Sequence, residues 1–294
     1  MKIFNFGSLN IDHVYRVPHL VKPGETLGSH DYQMFVGGKG LNQSIALARA
    51  GADVCHVGCI GKDGDVLRQV LEENGVNTSF IEQVDGPSGH AIIEVDSKGE
   101  NSILLYGGAN MKNNADSISQ VFEHISEGEF VLMQNEINGI PQIIEQGNKV
   151  KCQIVFNPAP MSTEVMNYPL QKVDYFILNQ SEAEAMTGND DPDEILRQLQ
   201  RQFPHSKTVL TLGPRGAIYK DVKHQIPIDA IPTDALDTTG AGDTFTGYFL
   251  AEISQENNVH RALEIASKAA SHCIQRAGAA DSIPFRNELL PILG

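Results

Sequence analysis

The chain has 294 residues and a formal net charge of −15 at pH 7. That length can bury a large core and is typical of one α/β domain with a small excursion. The charge argues against nucleic acid or an anionic membrane as a partner, because both would repel an acidic protein. No apolar run is as long as a membrane span, and the first residues enter a strand directly. We therefore expect neither a transmembrane helix nor a signal peptide.

Short apolar runs alternate with helix-like patterns along the whole chain. Strands are predicted at residues 3–7, 54–60, 130–133, 153–156, 175–178 and 208–212. Helices are predicted at residues 42–50, 65–74, 141–148, 182–187, 192–202, 244–254 and 260–276. Ser181 and Glu184 fit a capping box at the start of one helix. The alternation predicts an α/β fold with a central, mostly parallel sheet flanked by helices on both faces, within a single domain spanning residues 1–294.

Two regions depart from this alternation, at about residues 12–36 and 88–106. They carry strand-like patches at 31–36, 90–95 and 102–106, and residues 96–101 suit a hairpin turn. We expect these discontinuous segments to pair as a small sheet lying over the binding crevice. An ordinary extension of the main sheet's edge is the alternative.

The four cysteines, Cys55, Cys59, Cys152 and Cys273, are scattered through apolar or helix-like contexts. No further Cys or His pair completes a zinc pattern with Cys55 and Cys59. We interpret them as reduced, mostly buried thiols and expect a cytoplasmic protein.

Polar residues directly follow five of the predicted strands. They are Asn10 with Asp12, Asn135 with Glu136, Asn157, Asn179, and Thr211 with Gly213. The carboxyl ends of strands in an open α/β sheet share one edge, where ligands bind. Each Asn alone fits a turn, but five such strands together favour one shared polar crevice.

Residues 237–245 read Asp-Thr-Thr-Gly-Ala-Gly-Asp-Thr-Phe and lead into an apolar, helix-patterned segment. The turn at 240–242 would present free backbone N–H groups at a helix N-terminus, which suits a phosphoryl anion. Asp243 adds a carboxylate that can accept the proton of an attacking hydroxyl. A glycine turn followed by an Asp cap is also common, so this stretch alone leaves structure and function open.

Residues 37–42 read Gly-Gly-Lys-Gly-Leu-Asn and precede a second helix-like run. The glycines permit close backbone approach to a ligand, and Lys39 and Asn42 supply a cation and an amide for hydroxyl-rich or anionic groups. Lys39 is followed by Gly rather than Ser or Thr, so this is not a P-loop. The 240–242 turn lacks the third glycine of the dinucleotide pattern.

Together the two stretches resemble the paired signatures of the ribokinase family, the PfkB-type carbohydrate kinases. The likeness covers nearly all 294 residues and continues in the family's order through Asn10-Ile11-Asp12-His13, Asn135-Glu136, Asn157-Pro158-Ala159-Pro160, Asn179-Gln180-Ser181-Glu182 and Thr211-Leu212-Gly213. The resemblance implies a ribokinase-like fold whose small sheet is a lid over the sugar and often the interface of a homodimer. It also implies transfer of the ATP γ-phosphate to a sugar hydroxyl.

The resemblance further implies roles for the matching residues. The sugar is assigned to Asn10, Asp12, Gly38, Lys39, Asn42 and Glu136. Asp243 is the expected general base, and the N–H groups of Gly240, Ala241, Gly242 and Asp243 are the expected anion hole. A solvated loop lysine is the alternative for Lys39.

On the nucleotide side, the resemblance assigns the phosphates and ribose of ATP to Asn179, Thr211 and Gly213, and Mg²⁺ to Glu182 through metal-bound water. It places adenine near the predicted helix at 260–276. In potassium-activated relatives, loops matching Asp237, Thr239, Arg276, Gly278 and Ser282 surround K⁺ mainly with backbone oxygens. We expect K⁺ here, although a loop held by hydrogen bonds alone would have the same sequence.

D-ribose, phosphorylated at its primary hydroxyl, is the expected acceptor. The motifs match the ribose-specific branch of the family better than its fructose- or adenosine-specific branches. Deoxyribose, a ketohexose or a nucleoside stays open, because lid residues such as His90, Ile92 and Ile103 can decide specificity. A catalytically silent sugar sensor on the same fold is the alternative of another class, and the intact Asp243 argues against it. A nicotinamide dehydrogenase does not fit, because residues 7–10 contain a single glycine.

Overall fold

The computed structural model describes residues 1–289, which form thirteen strands and nine α-helices. The strands are β1 (Ile3–Phe6), β2 (Asn10–Arg16), β3 (Asp31–Gly37), β4 (Val54–Ile60), β5 (Asn77–Gln83), β6 (Gly89–Val95), β7 (Asn101–Tyr106), β8 (Phe130–Gln134), β9 (Gln153–Asn157), β10 (Tyr175–Asn179), β11 (Lys207–Thr211), β12 (Ala217–Lys220) and β13 (Gln225–Ile228). The helices are α1 (Lys39–Arg49), α2 (Asp65–Glu73), α3 (Ala115–Phe122), α4 (Ile140–Val150), α5 (Gln180–Thr187), α6 (Pro192–Gln202), α7 (Ala241–Glu256), α8 (Val259–Cys273) and α9 (Arg286–Leu289).

Nine strands form the main sheet in the order β13-β12-β11-β10-β9-β8-β1-β4-β5. Every pairing from β5 to β11 is parallel, and only the β11–β12 and β12–β13 pairings at one edge are antiparallel. The predicted mostly parallel sheet is therefore confirmed. Strand β5, the β12–β13 hairpin and α3 were not predicted from the sequence.

The main sheet is buried on both faces. In β1, Ile3 belongs to one hydrophobic cluster, whereas Phe4 and Phe6 belong to the other. Successive side chains of a strand point to opposite faces, so the two clusters lie on opposite sides of the sheet. Such two-sided burial is typical of parallel sheets covered by helices, and the near-continuous apolar runs of these strands follow from it.

The other four strands form a small separate sheet in the order β3-β2-β6-β7, which we call the small sheet. Strand β2 pairs with β3 antiparallel and with β6 parallel, and β7 completes the sheet antiparallel to β6. All six residues of β7 are exposed. A second, smaller sheet was predicted, and its first strand begins at Asn10, slightly earlier than expected.

Helices α1 and α7 pack against each other closely, and this contact joins the two glycine-containing motifs. A Cβ atom on Gly247 would lie 2.4 Å from the Cβ of Ala46, so only glycine permits this approach. At the start of α1, a Cβ on Gly40 would lie 2.3 Å from the backbone nitrogen of Ser8. The first turn of α1 is thus packed against the residues that follow β1, and the middle of α1 is packed against α7.

Within residues 1–289, no helix combines the length and apolar character needed to cross a bilayer. Two predicted details of the helices are wrong. The capping box of α5 is formed by Asn179 and Glu182, not by Ser181 and Glu184. The helix predicted to reach residue 276 ends at Cys273, which leaves Arg276 in the following loop.

Candidate active site

The N-terminus of α7 has the form expected of an anion site. Gly240 adopts a left-handed conformation, with φ of 77°, and no side chain caps the helix. Within the described part of the chain, the N–H groups of Gly242 and Asp243 have no acceptor, whereas that of Ala241 donates to the Thr238 carbonyl over 3.3 Å. Two free donors at a helix N-terminus can bind a phosphoryl oxygen. The Ala241 N–H is already engaged, although the sequence predicted it to be free.

Asp243 lies in the first turn of α7 and is 8% exposed. Its Oδ2 accepts a hydrogen bond from Asn42 Nδ2 at 3.0 Å, and its Oδ1 accepts one from Gln43 Nε2 at 2.8 Å. Both donors are neutral amides of α1, so they orient the carboxylate without competing for a proton at ordinary pH. The two motifs predicted to act together therefore meet at one buried carboxylate.

Glu136 follows β8 and is fixed on one side by the start of α1. Its Oε2 accepts hydrogen bonds from Ser8 Oγ at 2.5 Å and from the Lys39 backbone N–H at 3.0 Å. Burial raises the pKa of Glu136, while the bond from Ser8 and the charge of Lys39 oppose that rise. Within residues 1–289 the other oxygen, Oε1, has no hydrogen-bond donor, so it can accept a hydrogen bond from a ligand.

The charges of three carboxylates act on the ammonium group of Lys39. The charge of Asp243 raises the pKa of Lys39 most, Glu136 and Glu182 raise it further, and burial opposes them. Within residues 1–289 the Lys39 ammonium forms no ion pair, so the choice between a ligand-binding cation and a solvated loop lysine stays a prediction. The carboxylates near Lys39 leave this part of the crevice short of positive charge when a triphosphate enters, since a triphosphate adds several negative charges.

Asn10 and Asp12 lie on β2 beside the two glycines that end β3. Asn110, on the turn before α3, donates from Nδ2 to Asn10 Oδ1 at 2.7 Å, so the Asn10 oxygen is engaged within the protein. A Cβ on Gly37 would lie 2.2 Å from Asp12 Oδ2, so the Asp12 carboxylate needs a glycine there. Burial and the nearby charge of Glu136 raise the pKa of Asp12 to about 6.

A cavity of about 830 Å³ adjoins the start of α7. It is lined by Thr211, Gly213, Pro214, Gly216, residues 230–235, Thr238, Ala241, Gly242, Phe245, Ser267, Ala270, Ser271 and Ile274. The structure places Thr211 and Gly213 together here, next to the anion turn. The predicted adenine helix also contributes, because four of the lining residues belong to α8 or follow it directly.

Asn179 and Glu182 form a reciprocal cap at the start of α5. Asn179 Oδ1 accepts from the Glu182 N–H at 2.9 Å, and the Glu182 carboxylate accepts from the N–H and Nδ2 of Asn179. Burial raises the pKa of Glu182, and Lys39 and the Asn179 N–H oppose this. Within residues 1–289, no three His, Cys, Asp or Glu side chains cluster as a ready-made metal site.

The predicted cation loops are tied together by one carboxylate. Asp237 Oδ1 accepts from the N–H of Thr239 at 2.9 Å and from its hydroxyl at 2.6 Å, and Oδ2 accepts from the Gly278 N–H at 3.0 Å. These hydrogen bonds lower the pKa of Asp237 against the effect of burial. Ser282 Oγ donates to the Ala279 carbonyl at 2.8 Å, and Arg276 forms an ion pair with Glu288.

Sequence reasoning missed four polar residues that support the site, Ser8, Gln43, Asn110 and Gln134. All lie within apolar or glycine-rich surroundings, and each is at most 2% exposed. For Gln43 and Gln134 the available signal was a polar side chain inside a helix or strand that otherwise reads as fully buried, whereas Ser8 and Asn110 lie outside the α-helices and strands and gave no such signal. Buried polar groups are nearly always hydrogen-bonded, so such residues mark networks.

A family model described as pfkB family carbohydrate kinase matches residues 1–286. A protein named ribokinase from Haemophilus influenzae is 35% identical over 299 residues, covering 98% of this chain and 96% of that protein. A deoxyribokinase from Salmonella typhi is 31% identical over 294 residues, covering 97% and 96%. The structure of Arabidopsis thaliana ribokinase complexed with ribose and ATP superposes with a TM-score of 0.90, at 29% identity over 99% of this chain and 98% of that one.

Proposed function

The chain belongs to the pfkB family of carbohydrate kinases, and within that family we propose that it transfers the γ-phosphate of ATP to the primary hydroxyl of D-ribose. The observation that carries this proposal is the junction of Asn42, Gln43 and Asp243 beside the free N–H groups of α7. A buried, oriented carboxylate next to an anion site is the pair of groups that hydroxyl phosphorylation requires.

Asp243 acts as the general base. Its carboxylate takes the proton of the sugar hydroxyl as that oxygen attacks the γ-phosphorus, and the bond from phosphorus to the β–γ bridging oxygen breaks to release ADP. The N–H groups of Gly242 and Asp243 stabilise charge on the transferring phosphoryl group, with the Gly240 conformation setting their direction. Since phosphoryl transfer depends mostly on positioning, the fixed Asp243 rotamer supports this role.

The sugar binds between the small sheet and α1. Asp12, Glu136 and the Oδ1 of Asn42 accept hydrogen bonds from its hydroxyls, while Asn10 and Lys39 donate. Asn42 Oδ1 is buried and has no partner within residues 1–289, which is the condition of a group that awaits a ligand. Gly38, with φ of 92°, lets the backbone approach the sugar closely.

ATP occupies the 830 Å³ cavity, with Thr211 and Gly213 near its phosphates and ribose and α8 near its base. The donor set fits a Mg²⁺ ion that is held mainly by ATP, because Glu182 keeps unused lone pairs near Lys39 and Asp243. Glu182 and Asn179 would bind such an ion through water. Magnesium would neutralise part of the negative charge of the phosphates. This is needed because the carboxylates near Lys39 are negative as well.

We also propose a K⁺ ion between the loops that contain Asp237, Thr239, Arg276, Gly278 and Ser282. Asp237 ties these loops together, and oxygen-rich loops suit a hard cation. The ion would support the 240–242 turn from outside the active site. Turnover should be several-fold higher in KCl than in tetramethylammonium chloride at equal ionic strength, and Asp237→Ala should abolish that difference. Equal rates in both salts would exclude the proposal.

The small sheet is proposed as a lid over the sugar and as the interface of a homodimer. Its exposed apolar side chains include Tyr32, Met34, Ile92, Leu104 and Tyr106. A patch of this kind on a soluble chain marks an interaction surface. Sedimentation velocity should show a dimer that Leu104→Asp converts to a monomer, while Val222→Asp, at a site 73% exposed outside the small sheet, has no effect. A monomeric wild type would refute the interface.

A cytoplasmic location is part of the proposal. All four cysteines are free and buried in the structure, and thiols of this kind are typical of reducing compartments. Cell fractionation with an antibody against the chain tests this directly.

The experiment that tests the function is ADP release from MgATP with D-ribose, 2-deoxyribose, fructose, other sugars and nucleosides. We expect the highest kcat/KM with D-ribose. Preference for 2-deoxyribose, which the Salmonella deoxyribokinase makes the second candidate, would keep the mechanism and change the substrate. Folded protein that binds a sugar but turns over with no acceptor would instead identify a sugar sensor.

A further inference from the structure

A continuous chain of buried side-chain amides runs from the core of the main sheet to Asp243. Gln134, at the end of β8, donates from Nε2 to Asn5 Oδ1 at 2.9 Å and to Gln43 Oε1 at 2.8 Å. Gln43 in turn donates from Nε2 to Asp243 Oδ1 at 2.8 Å and to Asn157 Oδ1 at 3.1 Å. Asn5, Gln43 and Gln134 are all 0% exposed.

One backbone carbonyl fixes the direction of every bond in this chain. Asn5 Nδ2 lies 2.8 Å from the Gly40 carbonyl, which can only accept, so the Asn5 oxygen must face Gln134. Gln134 must then present its nitrogen to Asn5, and the same nitrogen faces the oxygen of Gln43. Gln43 is left with its nitrogen facing Asp243. A flipped amide at any step would set two oxygens or two nitrogens against each other.

At the other end of this hydrogen-bond network, the donors and acceptors are fixed in direction as well. Asn5 Nδ2 also donates to Ser44 Oγ at 2.8 Å, and Ser44 Oγ lies 2.8 Å from His56 Nδ1. His56 Nε2 lies 3.2 Å from the Gly7 carbonyl, so this nitrogen carries the hydrogen and Nδ1 accepts from Ser44. Burial lowers the pKa of His56 to about 4, which keeps the ring neutral at physiological pH. The hydrogen-bond network from His56 to Gln43 therefore contains no charged group, and Asp243 is its first charged member.

We propose that Gln43 is a positioning residue for the base Asp243, and that Asn5 and Gln134 set its orientation from the core. This inference rests on the proposed function, because it assumes that Asp243 takes the proton. Gln43 is fully buried, its Nε2 donates two hydrogen bonds and its Oε1 accepts one, so it acts on the carboxylate and not on the sugar. Asn42 and Gln43 each donate a hydrogen bond to a different oxygen of Asp243. These two bonds oppose rotation of the carboxylate toward the Lys39 ammonium.

Substitutions of the neighbouring residues Asn42 and Gln43 should affect kcat and the ribose KM differently. Asn42 has a free buried oxygen and belongs to the proposed sugar site, so Asn42→Ala should raise the ribose KM as well as lower kcat. Gln43→Met removes the donor at similar volume. It should lower kcat roughly 10- to 100-fold, the range for one hydrogen bond to a charged group, and leave the ribose KM within about threefold.

The experiment measures kcat, ribose KM and the kcat pH profile for the wild type and for Gln43→Met, Gln134→Met, Asn42→Ala and Asp243→Asn. Gln146→Met, the same substitution on α4, is the matched control and should match the wild type. Gln134→Met should lower kcat less than Gln43→Met, roughly 3- to 10-fold, because the bonds it loses, to Asn5 and Gln43, are neutral and only the bond to Gln43 reaches the positioning residue. Calorimetric melting shows which variants are folded.

Gln43→Glu supplies a second readout that a purely structural role would not move. A carboxylate at this position would lie within hydrogen-bond distance of Asp243, and the two would share a proton. The acid limb of the kcat profile should then move to higher pH by about one unit or more, whereas Gln134→Met leaves it in place. This variant also tests the proposal if Gln43→Met fails to fold.

The outcomes separate the two proposals. Unchanged kcat in folded Gln43→Met, or an unmoved acid limb in Gln43→Glu, would overturn the positioning role while inactive Asp243→Asn keeps the base. A rise in ribose KM that accounts for the whole loss in Gln43→Met would overturn it too. Near-normal turnover by Asp243→Asn would reject the base itself, whatever Gln43 does.

Discussion

The sugar side and the nucleotide side of the crevice are built in different ways. On the sugar side, formed by β2, α1 and the residues after β8, charged and amide side chains bond to one another and most are buried. On the nucleotide side, the cavity is lined largely by glycines, small or apolar side chains and loop backbone. Under the proposed function, one half would recognise its ligand through fixed polar side chains, and the other through backbone groups and shape.

This difference predicts how each side responds to substitution. Removing a buried, bonded polar group leaves its partners unsatisfied, so changes on the sugar side should be costly and specific. Side-chain truncation on the nucleotide side leaves the backbone donors in place and should cost little. The contrast is tested most strongly at Asp243, the carboxylate that lies where the two sides meet.

Asp243→Asn should reduce turnover at least 10²- to 10⁴-fold, the range typical of general acid–base catalysis, while the sugar still binds. The fold should survive, because Asn42 can turn its free Oδ1 toward the new amide nitrogen. Steady-state kinetics measure the loss, and titration calorimetry measures sugar binding, since the chain has no tryptophan to report it. Turnover near the wild-type rate would remove Asp243 from the role of base.

Asp12→Ala should raise the ribose KM roughly 10- to 100-fold, because hydrogen bonds between sugar hydroxyls and a charged acceptor are lost. The ATP KM should stay within about twofold, since Asp12 lies on β2 and not in the nucleotide cavity. Initial rates with each substrate varied at saturation of the other measure both constants. An unchanged ribose KM would place Asp12 outside the sugar site.

Asp12 should also make the ligand-free protein less stable as the pH rises. Its folded pKa is raised from 3.8 to about 6, so the stability associated with its protonated form is complete below 3.8 and is lost as the pH rises through about 6. Asp12→Asn resembles the protonated form, so its advantage over the wild type should grow between these values. At about 1.4 kcal/mol per pKa unit, the upper bound near pH 7 is about 3 kcal/mol. Urea unfolding at pH 5 and pH 7 measures the gain, and an equal gain at both values would contradict it.

The sequence predicted six of the nine strands of the main sheet, and the structure brings several of the predicted charged site residues close together, although their roles stay predictions. Apolar runs predicted the parallel strands, because a strand buried on both faces is apolar throughout. The β12–β13 hairpin was not predicted from the sequence, because its strands are short and mix exposed and buried residues. The Asn179–Glu182 cap was displaced by two residues in the prediction, because Ser181 and Glu184 match the same spacing rule.

The supporting network was beyond sequence reasoning for a different reason. Gln43 and Gln134 are separated by 91 positions and meet only after the sheet forms. The sequence around each residue does not predict which residue it will bond to. A lone Gln in a helix usually faces solvent. Periodicity therefore reveals that a polar residue is buried, whereas the partner that satisfies it depends on the order of the strands.

The smallest effect is expected on the nucleotide side, from a matched pair of changes on α8. Ser267→Ala should alter the ATP KM less than about threefold, because the loss of one half-exposed hydroxyl is at most a weak hydrogen bond. Ala270→Phe should raise the ATP KM much more, since it adds a ring to a cavity wall that holds its ligand by shape. Ribose KM should not change in either variant. Were Ser267→Ala to weaken ATP as strongly as Asp12→Ala weakens ribose, side-chain recognition would extend across both sides and the contrast between them would fail.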